Sequence, residues 1–527
     1  MFSIGRVKLV ALGVAAAVAV GACSDSGTTP DPQPPAAPTG VTVSLANGQV
    51  TVAWSASTGA TSYRVQRRVS GTGAAFADVA ANVTATTYTD SAITAGNTYQ
   101  YQVIAVNADG NSSASALAEV VVPVENRTAV LSGTITGNRQ LSADTVYKLQ
   151  GIVTVEDGGE LHIPAGTMLQ GDVTVQPTAL IVRVGGKIFA EGTESNPVIF
   201  TSSRVGGSGS NAPTAGDWGG LVINGESQCN FPASECVGEG SSGQYGGNVL
   251  DDDSGVLKYA RIEYAGFEVS FGNELNGLTL NGVGSGTEIH HVQVHEGLDD
   301  GVELFGGTVD IKYMIVTDAS DDSFDWSTGW SGNGQYWIVQ QDPDDADNGY
   351  EVDGNEDDFT ATPLTNPNVW NTTVVGKGAT GTAGESTTGM LLRRGTGGMV
   401  MCAVVVGFGT AGLDVDNAET ITNGVQVGST ILFDNAVNIS TDSDGFQATV
   451  WAAGAGNQEA DPMLADPYNR TDPDFRPDAS GPAASGCAAP PAGSGLDTVD
   501  YIGAVEPGAS SEWYAAPWTR WGDPNAG

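Results

Sequence analysis

Between Pro35 and Pro123 apolar and polar residues alternate with a period of two, in short runs parted by turn residues. VTVSL (41–45), QVTVAW (49–54), YRVQRRV (63–69) and TYQYQVIAV (98–106) are examples, and seven such runs in this span predict a β-sandwich over 36–123. From about residue 130 the pattern changes to short Val/Ile runs and Gly-containing turns with no helical period. HHVQVHEGLDDGVELFGG starts at His290 and KYMIVTDASDDSFDWSTG at Lys312, an offset of 22. QYWIVQQDPDDADNGYEVDGN at Gln335 is a looser copy, read with a short insertion after its Asp pair, and KYARIEYAGFE at Lys258 is an earlier one. A repeat of about 22 residues carrying three short strands is one coil of a right-handed parallel β-helix. The expected fold is therefore all-β. A sandwich at 36–123 is joined by a linker at 124–130 to a β-helix over 130–485, and 486–527 form a C-terminal cap segment.

Stacking the copies sorts their side chains, because neighbours along a strand point to opposite faces. Ala260, Val292, Met314 and Trp337 form one interior column, and Ile262, Val294, Val316 and Val339 form a second. Three columns should point outward: Tyr259, His291, Tyr313, Tyr336; then Arg261, Gln293, Ile315, Ile338; then Glu263, His295, Thr317, Gln340. The tyrosine row is expected to be exposed, where it could stack on sugar rings or simply support its sheet neighbours.

The N-terminus changes the picture of where this chain works. Residues 1–8 carry Arg6 and Lys8, 9–20 are an apolar run too short to span a bilayer, and Gly21-Ala22-Cys23 follows. This resembles the lipobox of bacterial lipoproteins. The resemblance implies a signal peptide over 1–22, lipidation of Cys23 and a Pro-rich tether over 23–35. Export to the outer membrane or cell surface follows, with Ser24 after the cysteine favouring outer-membrane sorting. Export also makes disulfides stable, so the remaining Cys229, Cys236, Cys402 and Cys487 are expected to pair as a local staple (229 with 236) and a second bridge. No CxxC occurs and there are four His, which argues against zinc.

Two further resemblances rest on motifs. In the sandwich, Trp54, Tyr63 and TYQYQVIAVNADG (98–110), with Tyr99 at a tyrosine-corner position, resemble a fibronectin type III domain. Such modules are spacers more often than binders, and no RGD is present. GGELHIPAGTMLQGD, ALIVRVGGKIFAEGTESNPVIFTSS and GDWGGLVING resemble the early coils of pectin-lyase-like β-helices, and DPDFRPDASGPA resembles their ending. That fold hosts lyases, hydrolases, adhesins and passive stalks, so it implies no single activity.

Charge selects among these. There are 61 Asp and Glu against 20 Lys and Arg, a net charge of −41, which excludes nucleic-acid binding and attracts cations. Residues 299–358 alone hold 14 Asp and 3 Glu against the single base Lys312. The repeat places Asp299–Asp300, Asp321–Asp322 and Asp344–Asp345 as stacked pairs, followed by Glu303, Asp325 and Glu351. Carboxylates one coil apart (about 4.8 Å) repel by ~3.5 kcal/mol at an effective dielectric near 20, so a ladder of them takes up protons or hard cations. These nine residues are the expected Ca²⁺ ligands; the alternative is a solvated acidic face. Asp251–Asp253 is a weaker metal candidate, better read as a turn. The expected function is a Ca²⁺-stabilised surface lipoprotein that binds polysaccharide or matrix partners. A pectin-lyase-like lyase or glycoside hydrolase is the alternative, with Glu263, His295 and Arg261 as a conceivable proton-transfer cluster. Against it stands an incomplete signature: Arg261-Ile262-Glu263 occupies the place of that family's Arg-Ile-Lys, and no Gly-His-Gly or Asn-Thr-Asp occurs. A passive structural role is the third reading.

Overall fold

The computed structural model describes residues 33–522, apart from 47–48, 72, 123–126, 234, 271–272, 379–380, 383 and 510–511. The lipidation candidate Cys23, the signal segment and most of the tether lie outside the described residues. The chain divides into two compact units, 1–125 and 126–527.

In the first unit, strands Thr39–Ala46, Gln49–Ser55 and Thr87–Asp90 form one antiparallel sheet. Ser62–Val69, Ala77–Val83, Thr98–Asn107, Gly110–Asn111 and Ala118–Val121 form the other. The alternating pattern buries one face of each, with Val50, Val52, Val65, Tyr101 and Val103 fully enclosed. Trp54 meets Tyr63 edge-on at 5.2 Å. The Thr94 N–H donates to the Tyr99 hydroxyl at 2.9 Å, tying the strand entry to the preceding loop.

In the second unit, 25 strands between Arg127 and Glu459 belong to one continuous sheet whose members pair in parallel with strands one coil away. Two stacks matter for the site. Gly255–Glu263, Glu288–His295, Ile311–Thr317, Asn333–Gln340, Asn368–Val375 and Met399–Val406 form one. Leu278–Asn281, Val302–Phe305, Phe324–Ser327, Tyr350–Asp353 and Thr388–Arg393 form the other. Val292 opposite Met314 and Val302 opposite Phe324 reproduce the 22-residue offset. Both interior columns are buried in a single core, to which Trp326, Trp330 and Trp337 add fully enclosed indoles. Among the described residues no helix falls between 250 and 360. The helix Phe446–Ala453 packs Val450 and Trp451 against the last coils, covering apolar surface that the next coil would otherwise have buried.

A position shared by seven successive coils carries a left-handed backbone. Tyr259, His291, Tyr313 and Tyr336 have φ of 45°, 55°, 55° and 60°, and Asn371, Cys402 and Ser429 continue the row at 52°, 59° and 48°. This conformation costs an L-residue roughly 1–2 kcal/mol, and here it turns the chain at the same corner of successive coils. The four rings stack on one another at centroid spacings of 4.4, 4.4 and 4.9 Å. Their faces are therefore spent on each other. Trp513 and Trp518 of the C-terminal segment cover their edges, at 5.3 Å from Tyr313 and 5.5 Å from His291. The expectation of an exposed sugar-stacking row is thus corrected: the rings are half-buried or buried, and Ile315 and Ile338 beside them are fully enclosed. The parallel sheet ends at Gln458–Glu459, and the chain from Leu464 onward lies along this lateral face.

Candidate functional site

The second stack of strands carries the acidic residues. Glu303, Asp325 and Glu351 lie in register on consecutive coils, preceded by Thr279. Three residues before each of the last four comes a second row: Asn276, Asp300, Asp322 and Asn348. Its members bond from coil to coil. The Asp300 N–H donates to Asn276 Oδ1 (3.2 Å), the Asp322 N–H to Asp300 Oδ1 (3.0 Å), and the Asn348 N–H to Asp322 Oδ1 (2.7 Å). A side-chain oxygen thus satisfies each turn amide, which explains why Asp or Asn recurs here. The third row is Asp299, Asp321 and Asp347, the last joined to Asp321 by a backbone bond of 3.0 Å.

These rows form four interlocking triads whose ligand oxygens lie within 4.8 Å of one another: Asp299/Asp300/Asp321, Asp300/Glu303/Asp325, Asp321/Asp322/Asp347 and Asp322/Asp325/Glu351. Seven of the nine residues expected from sequence are brought together. Asp344 and Asp345 are not. Asp344 is exposed and accepts from the Thr382 hydroxyl, while Asp345 accepts from Ser320 at 2.8 Å. Asp347 stands in their place, because pairing of Phe324 with Tyr350 and Asp325 with Glu351 puts the extra residues before the acidic turn, around Pro343. Counting back four residues from Glu351, as from Asp325 and Glu303, would have found it.

A second element faces this floor. The loop holding Phe231, Glu239 and Tyr245, stapled by the Cys229–Cys236 disulfide, walls a cleft of about 450 Å³ with Glu303, Asp325 and Glu351 on its floor. Phe305, Asp353 and Arg394 line it as well. Glu239 carried no repeat signal and was missed in the sequence; only its place beside a disulfide-closed loop hinted at it. Among the described residues lining the cleft, positive charge enters at one end, where Arg393 pairs with Glu351 and, at 2.9 Å, with Asp353, and Arg394 pairs with Asp353 at 2.6 Å.

Burial and mutual repulsion push Asp300, Glu303, Asp322 and Asp325 well above the ordinary carboxylate range. Burial, with Asp321 and Glu274 nearby, raises Asp299 to about 7. Burial, with Asp299, Glu274 and Glu356 nearby, raises Glu239 to about 8. Glu351 is raised despite Arg393. Asp325 Oδ1 is enclosed and has no hydrogen-bond partner among the described residues, although Asp325 lies in the two triads nearest the cleft.

Glu263, His295 and Arg261 do meet, but in a sealed place. Glu263 is 1% exposed and bonded to Arg261 (2.8 Å), to Arg520 of the C-terminal segment (2.8 Å) and to Thr201 (2.9 Å). Burial opposes its charge, yet the two arginines leave it below its ordinary value. His295 is held by the Thr317 hydroxyl at 2.7 Å and pushed down to about 4 by burial. Covered by Arg520, the cluster is corrected to a buried ion-pair network out of substrate's reach. Asp253 pairs with Lys187 at 2.6 Å and Asp252 accepts from the Ser254 hydroxyl at 3.1 Å, just after a turn closed by the Asp252 N–H on the Val249 carbonyl. Cys402 and Cys487 are joined, tying the C-terminal segment to the β-helix.

Residues 133–462 match the family described as a pectate-lyase-like β-helix domain, and 38–123 match a fibronectin type III domain, that of the SaeA third domain. Among curated proteins, the amylopullulanase of Thermoanaerobacterium saccharolyticum is 38% identical over 100 residues, which is 19% of this chain and 8% of that protein. That of Thermoanaerobacter thermohydrosulfuricus is 44% identical over 68 residues, 13% and 4% respectively. The chain thus spans under a tenth of the length of these relatives. An Fn3-like protein from Clostridium thermocellum shares 35% identity, covering 16% of this chain and 92% of that one at a TM-score of 0.16.

Proposed function

We propose a function from one established premise: this chain belongs to the pectate-lyase-like β-helix family. Our reading is a surface protein whose acidic cleft takes up Ca²⁺ and, through it, binds carbohydrate. The observation that carries it is Asp325, an enclosed carboxylate with an oxygen unpartnered among the described residues, held between acidic neighbours on the coils before and after. Hard cations prefer six to eight oxygen ligands, and the triads supply carboxylates from three coils plus the loop carboxylate Glu239. Phe231, Tyr245 and Phe305 offer ring surface beside the charges, the combination that sugar hydroxyls and ring faces require. An uncompensated cleft repels uronates; a bound cation reverses that. The named activity of the amylopullulanase relatives supports a carbohydrate setting without specifying the sugar. Arrays of neutral and uronate polysaccharides, probed in millimolar Ca²⁺ and in chelator, test the reading. Retention in Ca²⁺ alone, lost in Asp325→Asn, supports it; equal retention in both, or none in either, removes it.

One observation favours a second reading, glycoside hydrolysis. Glu239 remains protonated near neutral pH opposite the Asp325 and Glu351 floor, and hydrolases need such an acid beside a carboxylate. Release of reducing ends from the same panel, abolished in Glu239→Gln, would favour it over binding alone. Lipid anchoring through Cys23 completes the proposal. Cys23→Ser should move the protein from the detergent phase to the soluble fraction, and unchanged partitioning would overturn that part.

A further inference from the structure

The C-terminal segment from Leu464 to Trp521 packs a small aromatic cluster of its own, Phe475 meeting Tyr514 at 5.2 Å and Trp521 at 5.6 Å. Among the described residues its two short strands, Leu464–Asp466 and Asp474–Pro477, pair with each other and not with the parallel sheet. The segment's Phe475, Ile502, Tyr514 and Trp518 share one buried cluster with Ile315, Ile338, Val404 and Ile431, outward residues of the β-helix. The face grips the strap chiefly by its main chain. Gln293 accepts from the Arg520 N–H and donates to its carbonyl, both at 2.7 Å. Gln335 does the same with Asp497, both at 2.8 Å. Arg520 and Arg470 add ion pairs to Glu263 and Asp318 at 2.8 Å. One covalent tie, Cys402–Cys487, spans 85 residues and joins the middle of the strap to the face.

We infer that this strap is a thiol-controlled latch, closed by oxidation of Cys402 and Cys487 and able to open when they are reduced. A segment packed on itself and held to the face by hydrogen bonds, ion pairs and one bridge undocks as a unit once untied, and undocking uncovers Ile315, Ile338, Val404 and Ile431, an apolar row interrupted at Thr373. Closure is a two-electron step. Two thiols lose two protons and two electrons to a disulfide-bearing oxidant such as oxidised glutathione, which leaves as two thiols. The chain would then complete its surface in an oxidising compartment only. With the β-helix folded through Glu459, the bridge closes about 28 free residues up to Cys487, which removes enough chain entropy to change the open fraction on the order of a few hundredfold.

Hydrogen exchange on the full chain tests this. The Ile502 amide, bonded to the Ala483 carbonyl, and the Gly503 amide, bonded to that of Cys402 at 2.8 Å, report on the strap; Val292 and Val316 report on the interior. Cys402→Ser with Cys487→Ser should lower strap protection by about that factor and leave the interior amides unchanged, with the Cys229–Cys236 staple intact. Should that variant not fold, dithiothreitol added to the folded parent should produce the same loss, together with alkylation of Cys487. Strap amides equally protected in oxidised and reduced protein would overturn the inference.

Discussion

Asp325→Asn should stabilise the protein in chelator and destabilise it in Ca²⁺, relative to the parent. Asp325 shares triads with Asp300, Glu303, Asp322 and Glu351, with oxygens within 4.8 Å. Each ionised pair at that distance repels by ~3.5 kcal/mol at an effective dielectric near 20, so four contacts would exceed ~10 kcal/mol if every group were charged. The metal-free site avoids this by holding protons, and what repulsion survives is relieved by an amide of nearly the same shape. Occupation inverts the sign. A cation bound only by the folded coil contributes about 2.7 kcal/mol at one hundred times its dissociation constant. For a unit of roughly 400 residues melting cooperatively that is about 3 °C. Differential scanning calorimetry of parent and variant, with chelator and with millimolar Ca²⁺, should give melting curves that cross over between the two conditions. A variant less stable than the parent by the same amount in both would refute the electrostatic reasoning and leave Asp325 a packing residue.

In chelator the parent should lose stability as pH rises from about 4 to about 8. The folded state keeps protons on Asp299 and Glu239, raised to about 7 and about 8, that the unfolded chain releases near its ordinary carboxylate values; a chelator melting series that rises with pH would contradict this. Asp344→Asn with Asp345→Asn should leave the Ca²⁺-dependent melting shift intact, since both side chains lie outside the triads. Arg520→Gln should cost about 3–5 kcal/mol in denaturant titration by leaving Glu263 buried with half its ion pairing. Trp337→Ala should cost about 3–5 kcal/mol through the cavity it leaves among Phe324, Trp326 and Tyr350.

The coil period and interior columns were legible because inward residues are mostly apolar, as Ala260, Val292, Met314 and Trp337 are, although the next coil places the buried Thr372 in that column. The acidic rows were legible for the same reason of register, up to the third coil. There Asp-Pro-Asp-Asp-Ala-Asp-Asn holds one Asp-Asp pair and two single aspartates, and the pairing of Tyr350 with Phe324 decides that Asp347 faces Asp321. What could not be read was the contact between distant segments. Outward rows looked solvent-facing because nothing in a repeat announces that residues 464–521 return to cover it. Hence the sequence by itself implies an open tyrosine row and a reachable Glu263. Glu239 was hidden likewise, since a single Glu in a Gly/Ser loop carries no period.

Calorimetric titration of Ca²⁺ into chelator-stripped protein at pH 7, repeated in buffers of different ionisation enthalpy, decides whether the cleft binds metal. Binding should be saturable and accompanied by proton release, because Asp299 and Glu239, raised to about 7 and about 8 in the metal-free cleft, must ionise to hold the metal. Asp325→Asn should lose that binding. A titration showing no saturable heat, or saturation without proton release and unchanged in Asp325→Asn, would contradict metal binding there.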